Sequence, residues 1–220
     1  MLINIHTHHL SNSKKNIEIR NEYPNSQDFL TPFSIGLHPW FLKKETFENE
    51  ILLMEQKLQH PNCFAIGECG LDKAIETDFD FQKEIFIQQI HFSEKYQKPV
   101  IIHCVRAFQE IIEIRKSQKP SQPWIIHGFQ KDKKLAFDLI KNGFYLSFGE
   151  AILKNTRVQE VILAISMDTF FLETDNAEVS IHEIYEKISD IKQVSLDKVQ
   201  EIIHMNFKNI FAESYKNNTN

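Results

Sequence analysis

Two features of this 220-residue chain predict an α/β fold. Short apolar runs rich in β-branched and aromatic residues alternate with amphipathic stretches, at intervals of roughly 20–36 residues. Nearly every run also terminates in histidine, glutamate or aspartate. Continuous apolar runs suit strands buried on both faces of a parallel sheet. Repeated βα units with polar residues at the strand ends predict a TIM-type (β/α) barrel of seven to eight mainly parallel strands. The chain is shorter than the ~250 residues typical of such barrels. Residues 9–31 hold too little for a first helix and a full second unit, so the N-terminal quarter is expected to be trimmed.

The strand candidates are LINIH (2–6), NIEIRNE (16–22, the weakest), PFSIGLH (32–38), CFAIGE (63–68), PVIIHC (99–104), WIIHGF (124–129), GFYLSF (143–148) and TFFLETD (169–175). Helical periodicity fills the spaces between them. Phe47, Ile51, Met54 and Leu58 mark one face over 45–60. Phe79, Gln82, Phe86 and Ile90 mark another over 78–97, which ends before Pro99. Phe108, Ile111 and Ile112 define a third helix. Leu135 and Leu139 define a fourth, stopped at Gly143. Val158, Val161, Ile162 and Ile165 follow. Ser180 and Glu183 read as a capping box for a helix carrying Ile184, Tyr185 and Ile188, and Ser195 caps a last helix. Residues 1–214 read as a single domain and 215–220 as a polar, frayed tail.

Hydrophobic residues make up 42% of the chain and charged residues 25%, the balance of an ordinary globular protein with a sizeable core. A net charge of −5 argues against coating nucleic acid by general electrostatic attraction. It leaves open a nuclease whose metal ions supply the positive charge. Cys63, Cys69 and Cys104 form no C-x-x-C pair and read as reduced thiols of a cytoplasmic protein. No signal peptide or membrane span is visible, and no obligate protein partner is evident.

Barrel chemistry belongs at the C-terminal ends of the strands. His6, His8, His38, Glu68, His103, His127, Glu173 and Asp175 stand there. His6 and His8, two apart on a strand, face the same side about 6.5–7 Å apart and can converge on one cation; alone, such a pair also occurs as surface decoration. His9 falls on the opposite face and reads as surface or structural. Glu68 can bridge two ions or form a salt bridge at the barrel mouth, because a buried carboxylate needs a partner. His103 and His127 occupy matching positions on neighbouring strands, where a core histidine bonded to backbone is the plain alternative. Asp175 serves equally as ligand, as the base that activates water, or as a helix N-cap. Four histidines and two carboxylates on one rim make a mixed nitrogen/oxygen set with room for two divalent ions. Strand alternation turns Cys69 and Cys104 away from the site. No G-x-S-x-G, Walker loop or G-x-G-x-x-G is present.

In order along nearly the whole chain, H-T-H (6–8), G-L-H-P (36–39), A-I-G-E-C-G-L-D (65–72), P-V-I-I-H-C (99–104), I-I-H-G-F (125–129) and L-E-T-D (172–175) resemble the TatD family of metal-dependent hydrolases. The resemblance implies a barrel with a divalent metal centre and phosphodiesterase activity, commonly on DNA; the nitrogen/oxygen donor set itself suits Zn, Mn, Fe or Co and takes Mg less tightly. Carried over by motif, His6, His8, Glu68 and Asp175 would hold one ion. Glu68, His103 and His127 would hold the other, with His38 reaching the phosphate or supporting the site. The catalytic residues so implied are Asp175, Glu68 and His38. Four departures from the family pattern stand out. Asn4 replaces an aspartate, Lys73 follows G-L-D, Arg106 is displaced one place beyond its usual position, and Asn176 opens a shortened loop. All six ligands are intact while the loops that would contact substrate are trimmed. Lys73, Arg106, Lys131 and Lys133 follow strand ends and are candidates to meet phosphates, or form a solvated rim. Two other functions stay in view. One is hydrolysis of a small amide, ester or lactone by the same chemistry; the other is a non-catalytic metal-binding protein on a barrel scaffold.

Overall fold

The computed structural model describes residues 1–11, 13 and 15–211; the tail expected at 215–220 lies outside them. All eight apolar runs form strands: β1 (Ile3–Thr7), β2 (Ile17–Glu22), β3 (Phe33–Ile35), β4 (Cys63–Asp72), β5 (Val100–Val105), β6 (Trp124–Ile126), β7 (Phe144–Phe148) and β8 (Phe170–Leu172). They lie in one sheet in sequence order, and every neighbouring pair is parallel. The helices are α1 (Phe47–Leu58), α2 (Phe79–Tyr96), α3 (Phe108–Gln118), α4 (Lys133–Lys141), α5 (Ala151–Lys154), α6 (Thr156–Ala164), α7 (Ile181–Lys192) and α8 (Leu196–Ile210). Among the described residues no helix separates β1 from β2 or β2 from β3, so the N-terminal quarter is trimmed as its length predicts.

Caps set the helix ends. Asp78, Asp132 and Ser195 accept backbone N–H bonds at the starts of α2, α4 and α8, and Ser180 with Glu183 completes a capping box on α7. Gly143, in the left-handed region at φ 81°, follows the end of α4.

Two strands depart from their expected limits. β3 stops at Ile35, and His38 instead caps the single 3₁₀ turn Pro39–Phe41. β4 runs four residues past Glu68 to Asp72, so Glu68 stands inside a strand. The β4–β5 register shifts between Ile66 and Cys69. Gly67 and Gly70 lie there at φ 144° and 143°. A Cβ would come within 2.4 Å of the Ile101 carbonyl at Gly67 and 2.2 Å of the His103 carbonyl at Gly70. Only glycine lets β4 pass β5 this closely.

The barrel is nearly closed: an isolated bridge between Thr7 and Asp175 joins β1 to the segment after β8. At the upper end Asp175 N–H donates to the His6 carbonyl (3.0 Å) and His8 N–H donates to the Asp175 carbonyl (3.0 Å). Lower down, the buried Tyr185 hydroxyl of α7 accepts from Ile3 N–H (3.0 Å) and donates to the Ile3 carbonyl (3.1 Å). A side chain thus satisfies backbone groups of β1. Tyr185→Phe leaves that buried donor and acceptor without this partner, each worth roughly 1–3 kcal/mol. Urea unfolding is expected to show a lower midpoint at unchanged slope, a loss of about 2–6 kcal/mol for the two groups together.

Candidate metal centre

Seven side chains converge on the upper mouth of the barrel. His6 is wholly buried, His8 is partly exposed, and His38, Glu68 and His103 are each at most 8% exposed. Glu68 lies at the middle. Its Oε2 is 3.4 Å from His6 Nε2 and 3.8 Å from His8 Nε2. Its Oε1 is 2.7 Å from His127 Nε2, 2.9 Å from His103 Nδ1 and 3.2 Å from His38 Nε2. Asp175 Oδ1 closes the first group, 3.5 Å from His6 Nε2 and 3.4 Å from His8 Nε2. The Glu68 backbone is fixed by its N–H donating to Asn21 Oδ1 (2.8 Å).

Donor atoms of His6, His8 and Glu68 lie within 4.8 Å of one another, as do those of His38, Glu68 and His103. Hydrogen bonds on the outer sides of the rings decide which nitrogens present lone pairs. His103 Nε2 faces Asp72 Oδ2 at 3.1 Å, which places the proton there and frees Nδ1. His127 Nδ1 faces Glu173 Oε1 at 3.4 Å, which frees Nε2. His38 is the reverse: its Nδ1 accepts from Trp40 N–H (3.2 Å), so its Nε2 carries hydrogen and donates toward Glu68. This leaves a lone pair on His103 Nδ1 and on His127 Nε2, and turns the His38 Nε2 hydrogen toward Glu68.

Neither ring nitrogen of the buried His6 has a hydrogen-bond partner among the described residues, an expensive state for two polar atoms. A cation between His6, His8, Glu68 and Asp175 satisfies Nε2. Without one, protons must separate the facing lone pairs. Burial and the nearby His127 pull the His6 pKa down, but Asp175 and Glu68 hold it up at about 9. Burial likewise opposes a charged His127, and Glu68 with Glu173 outweighs it and raises the pKa. Burial would raise the Glu68 and Asp175 carboxyls, yet the surrounding imidazoles hold both well below the usual range. The donor set is compatible with divalent metal binding.

Two carboxylates outside this ring back two of its imidazoles. Glu173 is completely buried; it accepts from Gly128 N–H (2.8 Å) and the Ser147 hydroxyl and faces His127. Asp72 accepts from Trp40 Nε1 (2.7 Å) and Ala74 N–H (2.7 Å) while facing His103. Sequence reasoning placed both inside motifs without giving either this role. The available signal was that each lies a few residues from a ligand at the end of the same strand. Asn4, where the family pattern has aspartate, uses both halves of its amide: Nδ2 donates to Thr174 Oγ1 (2.9 Å) and Oδ1 accepts from Thr174 N–H (3.1 Å).

A cavity of about 290 Å³ opens above the centre, lined by His8, Tyr23, His38, Trp40, Phe41, Glu68, His103, His127, Asp175 and Asn176. Lys73 is not among them: it pairs with Glu110 and lies over the Phe79 ring. Arg106 and Lys131 are exposed and also lie outside the lining, as does Lys133, which pairs with Glu160 at 3.3 Å. His9 is exposed. Burial pushes the Cys69 thiol up and the Cys104 thiol up to about 12, as expected for inert cysteines beside the site.

Residues 2–212 match the family described as TatD related DNase. The chain is 29% identical over 195 residues to an uncharacterized metal-dependent hydrolase, YabD, of Bacillus subtilis, covering 81% of this chain and 76% of that protein. In fold it is similar to the TatD homologue YJJV of Escherichia coli, with a TM-score of 0.75 at 20% identity over 83% of this chain and 77% of the other. An uncharacterized amidohydrolase of Saccharomyces cerevisiae shares the fold at a TM-score of 0.64 and 15% identity, covering 82% and 80% of the two chains.

Metal uptake is expected to release protons, because His6 and His127 would have to be deprotonated to coordinate an ion. Affinity for Zn or Mn should rise with pH up to about 9, the His6 value. Titration calorimetry in buffers of different ionisation enthalpy should show a buffer-dependent heat. In the metal-free protein the sign reverses. The His6 contribution to stability is complete below its unfolded pKa near 6.5 and is lost as pH rises through about 9. Glu173→Gln exchanges the carboxylate behind His127 for an amide and should weaken metal affinity about 10–100-fold, read by competition with a chelating dye.

Proposed function

The chain belongs to the family of TatD-related DNases, which are metal-dependent hydrolases, and we propose that it is a phosphodiesterase acting on DNA with two divalent ions at the top of its barrel. The observation that carries this reading is the split environment of Glu68. One oxygen faces His6 and His8, and the other faces His103 and His127, as expected of a carboxylate shared by two ions. His6, His8, Glu68 and Asp175 would hold one ion, and Glu68, His103 and His127 the other. Mixed imidazole and carboxylate donors suit Zn or Mn and take Mg less tightly. When bound, such a pair supplies Lewis-acid polarisation of a phosphoryl oxygen and acidifies a water.

The remaining steps fall to side chains. The Asp175 side chain is 42% exposed, whereas the other five ligands expose at most 17%. It is the carboxylate placed to take the proton of the attacking water. His38 donates to Glu68 and keeps that carboxylate oriented as charge redistributes. Asp72 and Glu173 hold their imidazoles in the ligating tautomer. Lys73, Arg106 and Lys131 lie outside the cavity, so charge on the phosphate would be met at the metal centre.

Hydrolysis of a small amide, ester or lactone is the second reading. The small cavity favours it, and the yeast neighbour is described as an amidohydrolase. The two separate by assay. Metal-stripped protein should be inactive on bis(p-nitrophenyl) phosphate and on a single-stranded oligonucleotide, and Zn, Mn or Mg should restore cleavage. Asp175→Asn should lower the restored kcat about 10²–10⁴-fold, the usual worth of a positioned proton acceptor. Tightly bound metal without cleavage of either substrate, and with turnover of amides or esters, would replace this reading by the second.

A further inference from the structure

The buried face of α2 is not uniformly apolar. Among its phenylalanines and isoleucines it carries Gln82, Gln89 and Ser93, each at most 1% exposed. At about 100° per residue, positions 89 and 93 fall within roughly 20° of position 82, so the three share one line along the helix. A buried amide without partners costs about 1–3 kcal/mol. Both glutamine amides are satisfied, and by main-chain groups at the strand ends beneath them. Gln82 Oε1 accepts from Asp72 N–H (2.9 Å), while its Nε2 donates to the Asp72 carbonyl (3.1 Å) and the Thr77 carbonyl (2.8 Å). Gln89 Oε1 accepts from Leu37 N–H (2.8 Å), and its Nε2 donates to the Leu37 carbonyl (3.3 Å). β3 has ended at Ile35, so the Gln89 amide stands in for a strand partner. Gly36 keeps the chain close, since a Cβ there would come within 3.1 Å of Gln89 Oε1.

Each glutamine thereby fixes a residue next to the centre. Asp72 carries the carboxylate that faces His103 Nε2 at 3.1 Å. Leu37 precedes His38, whose Nε2 faces Glu68 Oε1 at 3.2 Å. Trp40 joins the two ends: its backbone N–H donates to His38 Nδ1 and its indole N–H to Asp72 Oδ2. The path from Gln89 through Leu37, His38, Trp40 and Asp72 to Gln82 starts and finishes on α2. It holds the His38 and His103 rings, whose centroids are 4.4 Å apart. Ser93 lies on the same line of the helix but outside this circuit, because its hydroxyl donates to the Lys98 carbonyl (2.6 Å).

We propose that Gln82 and Gln89 are positioning residues of the centre: by tying Asp72 and Leu37 to one helix they hold His103 and His38 at the spacing at which both meet Glu68. The assignment rests on the reading of this mouth as a metal centre and deepens it. An ion beside His103 is then bound only as tightly as α2 seats against the ends of β3 and β4. Neither glutamine reaches the ion or the substrate.

The test uses Gln82→Met and Gln89→Met, because methionine keeps the helix propensity of glutamine and lacks its amide. Ser93→Ala is the control: it removes a buried hydrogen bond from the same face of the same helix and leaves the circuit whole. Two measurements are made on the full chain. The first is Zn affinity, by competition with a chelating dye. Each glutamine variant should bind at least one Zn about 10-fold more weakly, the lower end of the effect of groups behind a ligand. Ser93→Ala should bind as the unaltered protein does. The second measurement is made without metal. The chain has two tryptophans, Trp40 and Trp124, so its nitrogen–proton NMR spectrum shows two indole N–H signals, and Trp40→Phe identifies one. A hydrogen-bonded proton is deshielded, so as Asp72 loosens in Gln82→Met the Trp40 signal should move upfield and exchange faster with solvent. In Ser93→Ala it should stay in place. Affinity unchanged in both glutamine variants, or lowered as much by Ser93→Ala, would overturn the proposal. A Trp40 signal unmoved by Gln82→Met would overturn it in either case. If the unaltered protein takes up no Zn, the metal reading has failed instead, and the indole signal alone decides the positioning role. Should Gln82→Met not fold, Gln89→Met carries both measurements, since Trp40 follows His38 in the same turn.

Discussion

The upper barrel is organised around one negative charge. Glu68 is 5% exposed, inside a strand, where an unpaired carboxylate would be prohibitive. Five imidazoles approach its two oxygens, Asn21 anchors its backbone, and two glycines let its strand lie close against β5. Removing any of these leaves the charge less compensated or moves it. The surrounding residues are best understood as conditions for keeping that carboxylate ionised and fixed between two groups of nitrogens.

Around this centre lies an outer layer that determines which atoms point inward. Asp72 and Glu173 are buried acceptors held by N–H and O–H donors, so their free edges face His103 and His127 in one orientation. Trp40 participates twice: its backbone N–H selects the tautomer of His38 and its indole N–H holds Asp72. On the other side, Asn4 Nδ2, Thr174 and Thr7 form a hydrogen-bonded line that ends on the His9 carbonyl and ties β1 to the segment carrying Asp175. An aspartate at position 4 could not donate to Thr174 as Asn4 does. The departure from the family pattern is consistent with its surroundings.

Most of the fold was legible because its signals are local. Apolar runs, helical periodicity, the Ser180–Glu183 box and the shortage of residues in 9–31 each report on a few neighbouring positions, and the structure follows them. The polar ends of the strands announced the site for the same reason. What the sequence obscured depends on geometry between strands. The continuation of β4 past Glu68 follows from a register shift against β5 that no single-strand pattern encodes. Asp72 and Glu173 matter through the ring nitrogens they face, and Lys73 turns toward Glu110 for reasons that lie on another helix. The aromatic wall of Tyr23, Trp40 and Phe41 is assembled from loops after β2 and β3, where periodicity carries no information.

The bridge from β1 to the segment after β8 also governs when the side chains at the mouth first meet. Thr7 and Asp175 bridge in parallel although 168 positions separate them. During synthesis His6 and His8 emerge first and Asp175 among the later residues, so a partial chain lacks the carboxylate that faces those two imidazoles. Pairing across that distance carries a loop-closure cost that contacts within the local βα units do not. The side chains at the mouth therefore come together only when the two ends of the described chain have met, and an ion bound among them would be a mark of finished assembly.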